Sequence, residues 1–223
     1  CKDRKGYENL CLLVSEAFIH GFYGKPRVDL EMLRKYHDGL IATSACLAGS
    51  IPQMLMDEDY DAAKNRALEL ADIFGDDHFY LELQDHGIDI QRPVNQGVMR
   101  LARETGLPLV VTNDAHYLRK EDAQMQDILL CVQTGKTVDE PNRMKFATEE
   151  FYLKSEEELR QLFPNCDEAF ENTVKIADRC NLEFTFHEYH LPVFPVPEGH
   201  TSESYFREVC YQGFRERYEN PPQ

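Results

Sequence analysis

The strongest candidate chemistry in this sequence is a carboxylate and an imidazole two residues apart, Asp114 and His116. They follow an apolar run, residues 109–112, of the kind found in strands buried on both faces of a parallel sheet. Polar side chains just beyond such strands lie where α/β folds keep their functional groups. If the chain stays extended, both side chains point to one side and can bind one zinc, manganese or iron ion. Otherwise Asp114 caps a turn and His116 is an ordinary surface residue.

Three further residues are candidates for the same region. Cys46 follows a predicted strand at residues 40–44, and its thiol is either a zinc ligand or a buried apolar group. His86 follows a predicted strand at residues 79–84 and is a ligand, a proton-transfer group or only a turn residue. Arg27 lies in a small basic loop that either contacts a phosphate or is simply solvated.

The elements that must position these residues alternate between strand and helix. Apolar periodicity and capping residues predict helices over residues 7–22, 29–36, 60–74, 91–105, 121–132, 166–180 and 201–218, and another that begins after Ser155. Such an order predicts an α/β fold with a parallel sheet or barrel, in which the carboxyl ends of the strands share one rim. Residues 190–199 are rich in proline and predicted to be extended, which marks a domain boundary.

Composition narrows the classes of function. The 223 residues include 40 acidic and 24 basic ones, which gives a formal net charge of -16. A protein surface this acidic is poorly suited to form the main groove that binds duplex DNA. Seven scattered cysteines without a Cys-x-x-Cys pair argue against a disulfide framework or zinc knuckle and fit the cytoplasm. The sequence shows no membrane-spanning stretch, signal peptide, P-loop or serine-hydrolase elbow. Because it also lacks an initiator methionine, we expect it to be a piece of a longer protein.

Several segments together resemble one family, the bacterial DNA polymerase III alpha subunits. They run in order along almost the whole chain, and one contains Asn113-Asp-Ala-His-Tyr117: residues 21–29, 40–49, 79–86, 108–118, 127–136 and 190–197. The resemblance implies an α/β fold in which residues 1–192 form most of the PHP (polymerase and histidinol phosphatase) domain. This domain would be an incomplete, distorted (β/α)7 barrel without its N-terminal strands. Residues 193–223 would be a C-terminal helical extension, a proline-rich linker and a first helix leading to the polymerase core.

The resemblance also implies what the intact protein does. It is expected to be a cytoplasmic DNA-directed DNA polymerase that acts in replication on DNA and deoxynucleoside triphosphates, with other replisome subunits and no membrane. The PHP rim of many family members holds divalent metals, here zinc, manganese or magnesium, and can act as a proofreading 3′–5′ exonuclease through metal-activated water. Family ligands carry over to Cys46, Asp114 and His116, with His86 as a rim neighbour. Arg27 remains a rim candidate from its basic loop alone.

The family pattern extends beyond these 223 residues. The resemblance places the His-x-His and Thr-Asp-His-Gly motifs before residue 1 and the polymerase palm after residue 223. We therefore expect the fragment to have no catalytic residues, to hold no metal, and neither to polymerise nor to proofread. A sheet edge exposed by missing strands predicts self-association, which light scattering would detect.

Two other functions remain open for the domain. It could be a non-catalytic scaffold that stabilises the polymerase or docks a proofreading subunit. A free-standing phosphoesterase such as histidinol phosphatase is disfavoured, because the chain continues past Pro195 into another helix.

Overall fold

The structure is a computed structural model that describes residues 1–189 and 191–218. By its internal contacts the chain divides into two units, Cys1–Glu183 and Phe184–Gln223. His190, where the predicted proline-rich segment begins, and residues 219–223, where the predicted extension ends, lie outside the described residues. The predicted domain boundary between residues 192 and 193 stays a prediction.

The first unit alternates helices with short strands. Its helices are α1 (Arg4–Ile19), α2 (Leu30–Tyr36), α3 (Ser50–Met56), α4 (Tyr60–Phe74), α5 (Gln91–Thr105), α6 (Ala123–Thr134), α7 (Glu156–Leu162) and α8 (Asp167–Arg179). A short 3-10 helix, Lys120–Asp122, precedes α6. The strands are β1 (Ala42–Thr43), β2 (Phe79–Leu83) and β3 (Leu109–Val111).

Local sequence signals account for where most of these helices begin and end. The Asp29 carboxylate accepts a hydrogen bond from the Met32 N–H at 2.8 Å and so caps α2. Ser155 and Glu158 form the predicted capping box of α7. Helix α5 ends at Gly106, whose φ of 74° lies in the left-handed region that glycine adopts without strain.

The three strands pair in the order β1-β2-β3, all parallel. This confirms the predicted α/β class with a parallel sheet. Every residue of β2 is buried, and one face of the sheet packs into a single apolar core with five helices, α3, α4, α5, α7 and α8. The largest fully buried apolar side chains of this core are Ile51, Leu81, Leu83, Val98 and Leu101. The described residues contain three strands, so closure into a (β/α)7 barrel is not confirmed.

Two local features differ from the prediction. The sequence predicts only a turn after β1, whereas the chain goes on into α3 and buries Ile51. Seven residues are too few to show helical periodicity, so packing against the core decides this helix. Helix α1 begins at Arg4, not at residue 7, because the Asp3 carboxylate accepts a hydrogen bond from the Gly6 N–H at 2.9 Å.

The second unit contains helix α9 (Ser202–Arg217), which Thr201 caps as predicted. The Tyr205 ring stacks on Phe194 of the proline-rich segment, with centroids 5.9 Å apart. None of the residues of α9 is buried. Across both described ranges, no helix has the length and apolar character needed to cross a membrane.

Candidate functional site at the strand ends

The loops after β1, β2 and β3 lie together at the carboxyl edge of the sheet. The Ser44 N–H donates to the Tyr80 carbonyl at 2.9 Å, and the Thr112 N–H donates to the Leu83 carbonyl at 3.1 Å. Strand pairing therefore continues one residue past β1 and past β3. These loops carry four of the predicted site residues: Cys46, His86, Asp114 and His116.

A buried polar network joins the loops beneath this edge. The Glu82 N–H donates to the Ser44 hydroxyl at 2.8 Å. The Glu82 carboxylate accepts from Gln84 Nε2 at 2.7 Å and from the Thr112 hydroxyl. Glu82, in the middle of β2, is buried. Buried polar groups are costly to leave unpaired, so this network fixes the three strand ends relative to one another.

His86 is buried, with both ring nitrogens hydrogen-bonded. Gln91 Oε1 accepts from the His86 backbone N–H at 2.7 Å, which turns Gln91 Nε2 toward His86 Nδ1 at 2.9 Å. Since Nδ1 accepts this bond, the proton is assigned to Nε2, which donates to the Asn113 carbonyl at 2.7 Å. The ring has no lone pair left for a metal ion.

Phe151 separates His86 from His116. Its ring lies parallel to His86 with centroids 4.3 Å apart, and His116 meets it edge-on at 5.5 Å. The His116 N–H donates to the Phe151 carbonyl at 2.8 Å, and Phe146 lies 4.8 Å from the His116 ring. The two histidines therefore share an aromatic cluster and do not face a common ion.

Asp114 and His116 do not lie on an extended path. Asp114 has a φ of 46°, in the left-handed region that few non-glycine residues adopt. Its carbonyl accepts from His116 Nδ1 at 2.9 Å, so Nδ1 carries the proton and Nε2 keeps a lone pair. In residues 1–189 and 191–218, no hydrogen bond reaches that Nε2. Metal-binding histidines commonly have this arrangement, with the other ring N–H bonded to a carbonyl.

Cys46 is half-buried and lines a chamber of about 10 Å³, room for one sphere the size of a water molecule. Glu82 and Gln84 line the same chamber. Gln84 Oε1 is buried, and no described residue donates to it. A thiol, a carboxylate and an unpartnered amide oxygen are groups that attract a cation.

The donor groups fit a divalent metal in kind but not in number. Cys46 offers a thiol, Asp114 a carboxylate, and His116 an imidazole in the ligand tautomer. Within the part of the chain that the structure describes, no three His, Cys, Asp or Glu side chains converge as a metal site. The fifth predicted residue, Arg27, is exposed, with its guanidinium 5.3 Å from the Tyr23 ring centroid. The described residues therefore do not complete a metal site by themselves.

An ion pair and a hydroxyl hydrogen bond fix the segment around Phe151, which packs against these loops. The Lys120 ammonium lies 2.5 Å from the Glu150 carboxylate, and this contact lowers the pKa of Glu150 below its usual value. The Tyr152 hydroxyl donates to the Glu158 carboxylate at 2.6 Å, which raises the pKa of Tyr152 to about 12. Glu150 and Tyr152 flank Phe151 in the chain, so these contacts help to hold the Phe151 ring against the two histidines.

The residues that hold the site together were not found from the sequence. They are Gln91, Asn113, Thr148 and Phe151. Asn113 could have been singled out because it adjoins Asp114. No local pattern could connect Thr148 to His86, whose carbonyl it bonds at 2.5 Å from 62 positions away.

Comparison with known proteins shows what this chain resembles. The PHP domain model matches residues 1–86. DNA polymerase III subunit alpha of Thermus aquaticus is 45% identical over 223 residues, which cover 97% of this chain and 18% of that protein. The same subunit of Treponema pallidum is 45% identical over 218 residues (97% and 19%), and that of Deinococcus radiodurans 40% over 223 residues (97% and 17%). Residues 1–86 are thus similar to the PHP domain, and almost the whole chain is similar to a segment of DNA polymerase III subunit alpha.

The resemblance predicted from the motifs is thereby confirmed. The chain spans about a fifth of the length of the curated DNA polymerase III alpha subunits it matches. The PHP match includes Cys46 and ends at His86. Asp114 and His116 lie beyond it, in the stretch that the polymerase subunits match.

Proposed function

We propose that this chain is the PHP-domain portion of a bacterial replicative DNA polymerase. The supporting observation is its 45% identity, over 97% of the chain, to DNA polymerase III subunit alpha of Thermus aquaticus. The intact protein would be a DNA-directed DNA polymerase that binds DNA and deoxynucleoside triphosphates through parts outside this chain and assembles with other replisome subunits. The three-stranded sheet would then be part of a distorted (β/α)7 barrel.

The same proposal assigns Cys46, Asp114 and His116 to a divalent metal site completed by residues outside this chain. Zinc, manganese or magnesium would serve there in a phosphoesterase-type 3′–5′ exonuclease. Three features support this assignment: the loops meet at one edge of the sheet, His116 keeps a lone pair on Nε2, and Asp114 has a left-handed backbone. Strained backbone of this kind is concentrated at functional sites.

A non-catalytic scaffold is the second candidate function. Here the domain would stabilise the polymerase or dock a proofreading subunit. One observation favours it: both histidine rings pack against Phe151.

Metal analysis of the intact polymerase that contains this chain separates the two candidates. We expect the wild type to contain bound metal and His116→Gln to lose most of it, while His20→Gln, at an exposed histidine, changes nothing. A metal-free wild type with full polymerase activity would support the scaffold.

The chain alone gives a second test. With manganese and 3′-labelled single-stranded DNA, we expect no release of nucleotides, because the described donors do not complete a site. Robust metal-dependent cleavage by these 223 residues would contradict the expectation that the fragment is inactive.

A further inference from the structure

His86 is bonded to the peptide group that precedes the left-handed residue Asp114. The φ of Asp114, 46°, is the torsion that runs from the Asn113 carbonyl carbon to the Asp114 carbonyl carbon. His86 Nε2 donates to the Asn113 carbonyl at 2.7 Å. This bond therefore fixes the peptide plane at one end of the strained torsion.

Other bonds hold the neighbouring groups of the same loop. Asn113 Oδ1 accepts from the Lys154 N–H at 2.9 Å, and Asn113 Nδ2 donates to the Lys154 carbonyl at 3.1 Å. The His116 N–H donates to the Phe151 carbonyl at 2.8 Å. Asp114 thus lies between two residues whose positions are set by contacts with distant parts of the chain.

His86 is itself held by contacts to its backbone and to its ring. Gln91 bonds both its backbone N–H and its Nδ1, and the Thr148 hydroxyl donates to its carbonyl. The Phe151 ring covers one face of the imidazole at an interplanar angle of 1°. A neutral imidazole can donate from one nitrogen, accept at the other and stack through its face, and this position uses all three properties.

We propose that His86 is a positioning residue for the site that includes Asp114 and His116. It acts through the Asn113 carbonyl and the Phe151 ring, and sets the direction of the Asp114 carboxylate and of the His116 Nε2 lone pair. It contacts neither ion nor substrate, since both of its ring nitrogens are committed. That the positioned groups bind a metal rests on the proposed function. The contacts of His86 with Gln91, Asn113 and Phe151 do not depend on it.

Two substitutions separate the contributions of His86. His86→Phe keeps a flat ring against Phe151 and removes the donor to Asn113. His86→Gln keeps an N–H donor near the place of Nε2 and removes the flat ring. His20→Gln, at an exposed histidine on α1's carboxyl end, is the matched control.

NMR on the 223-residue chain reads the positioning directly. The amide-to-Hα coupling of Asp114 reports its φ, and the ring nitrogen shifts of His116 report whether Nδ1 keeps its proton. We expect His86→Phe to change both signals, and His86→Gln to leave the Asp114 coupling closer to the wild type. Unchanged signals in both variants would overturn the proposal. Should His86→Phe fail to unfold cooperatively on heating, His86→Leu, which also lacks the donor to the Asn113 carbonyl, replaces it in the same measurements.

Metal affinity of the intact polymerase gives the functional readout. We expect His86→Phe to weaken metal binding about tenfold or more, as loss of a residue behind a ligand commonly does. A wild type that binds no metal defeats the proposed function, and the NMR result on the chain still decides the role of His86. A wild type that binds metal, with unchanged affinity in both variants, overturns the positioning role.

Discussion

The loops that follow β2 and β3 lie side by side at one edge of the sheet, yet they are built differently. In the loop after β2, His86 is 2% exposed and both of its ring nitrogens are bonded within the protein. In the loop after β3, Asp114 is half-buried and left-handed. His116 is exposed there, and no described residue bonds its Nε2.

The difference shows which histidine is available for chemistry. A buried ring with both nitrogens committed is structural, because binding an ion or moving a proton would first break buried hydrogen bonds. A ring held through one nitrogen, with the other open, is both oriented and accessible. Sequence position treats the two alike, since each follows a strand of the same sheet by a few residues.

The largest effect is expected at Phe151, which touches both loops. Phe151→Ala should lower the free energy of unfolding by about 3 to 5 kcal/mol, because it removes a buried ring and leaves a cavity between the histidines. Urea denaturation measures this. Phe22→Ala, at a ring that is 58% exposed, should stay within about 0.5 kcal/mol. Equal losses in the two variants would contradict the role of Phe151 as the shared support.

Removal of Gln91 tests how much the loop after β2 depends on its bonds. Gln91→Ala leaves the His86 backbone N–H and Nδ1 without partners, so we expect a loss of about 2 to 3 kcal/mol. Gln96→Ala on the exposed face of the same helix is the control and should change stability by less than about 0.5 kcal/mol. If the two variants lost equally little stability, the hydrogen bonds of Gln91 would not be what holds the loop after β2.

A substitution in the loop after β3 should raise the free energy of unfolding, whereas those at Phe151 and Gln91 lower it. Asp114→Gly relieves the left-handed strain, so we expect a gain of about 0.5 to 1 kcal/mol in the free energy of unfolding. Thermal unfolding of this variant should be compared with that of Asp89→Gly. Asp89 is an exposed loop residue that is not left-handed, and its replacement should be neutral or destabilising. A loss of stability in Asp114→Gly would mean that the carboxylate itself supports the fold.

The smallest effect is expected for the Lys120–Glu150 ion pair, whose contribution to stability depends on pH. Lys120 lowers the pKa of Glu150 in the folded protein, so the pair stabilises the fold above the unfolded pKa, and this contribution is lost as pH falls through the lowered folded value. Lys120→Met should therefore flatten the pH dependence of stability below about pH 5. The effect is small because the pair is partly exposed. If wild type and Lys120→Met showed the same pH dependence of stability, the Lys120–Glu150 pair would not contribute to the stability of this region.

Several elements could be predicted from the sequence residue for residue. The helices predicted over 60–74 and 91–105 are α4 and α5 with the same bounds. Their signals are local: apolar periodicity, and a glycine immediately after the last residue of each helix. The strands were also found, each with one or more extra residues at its ends, because a hydrogen-bonded ladder depends on the neighbouring strand.

The sequence by itself determined the residue types at the strand ends, the parallel α/β order that brings those ends to one edge, and the resemblance to DNA polymerase III alpha subunits. The tertiary structure decided the rest. It formed α3 by burying Ile51 and enclosed Glu82 in a polar network. It also committed His86 to bonds with partners 27 and 62 positions away. Local pattern cannot encode these features, because whether a side chain keeps a lone pair depends on neighbours that only the folded chain brings within reach.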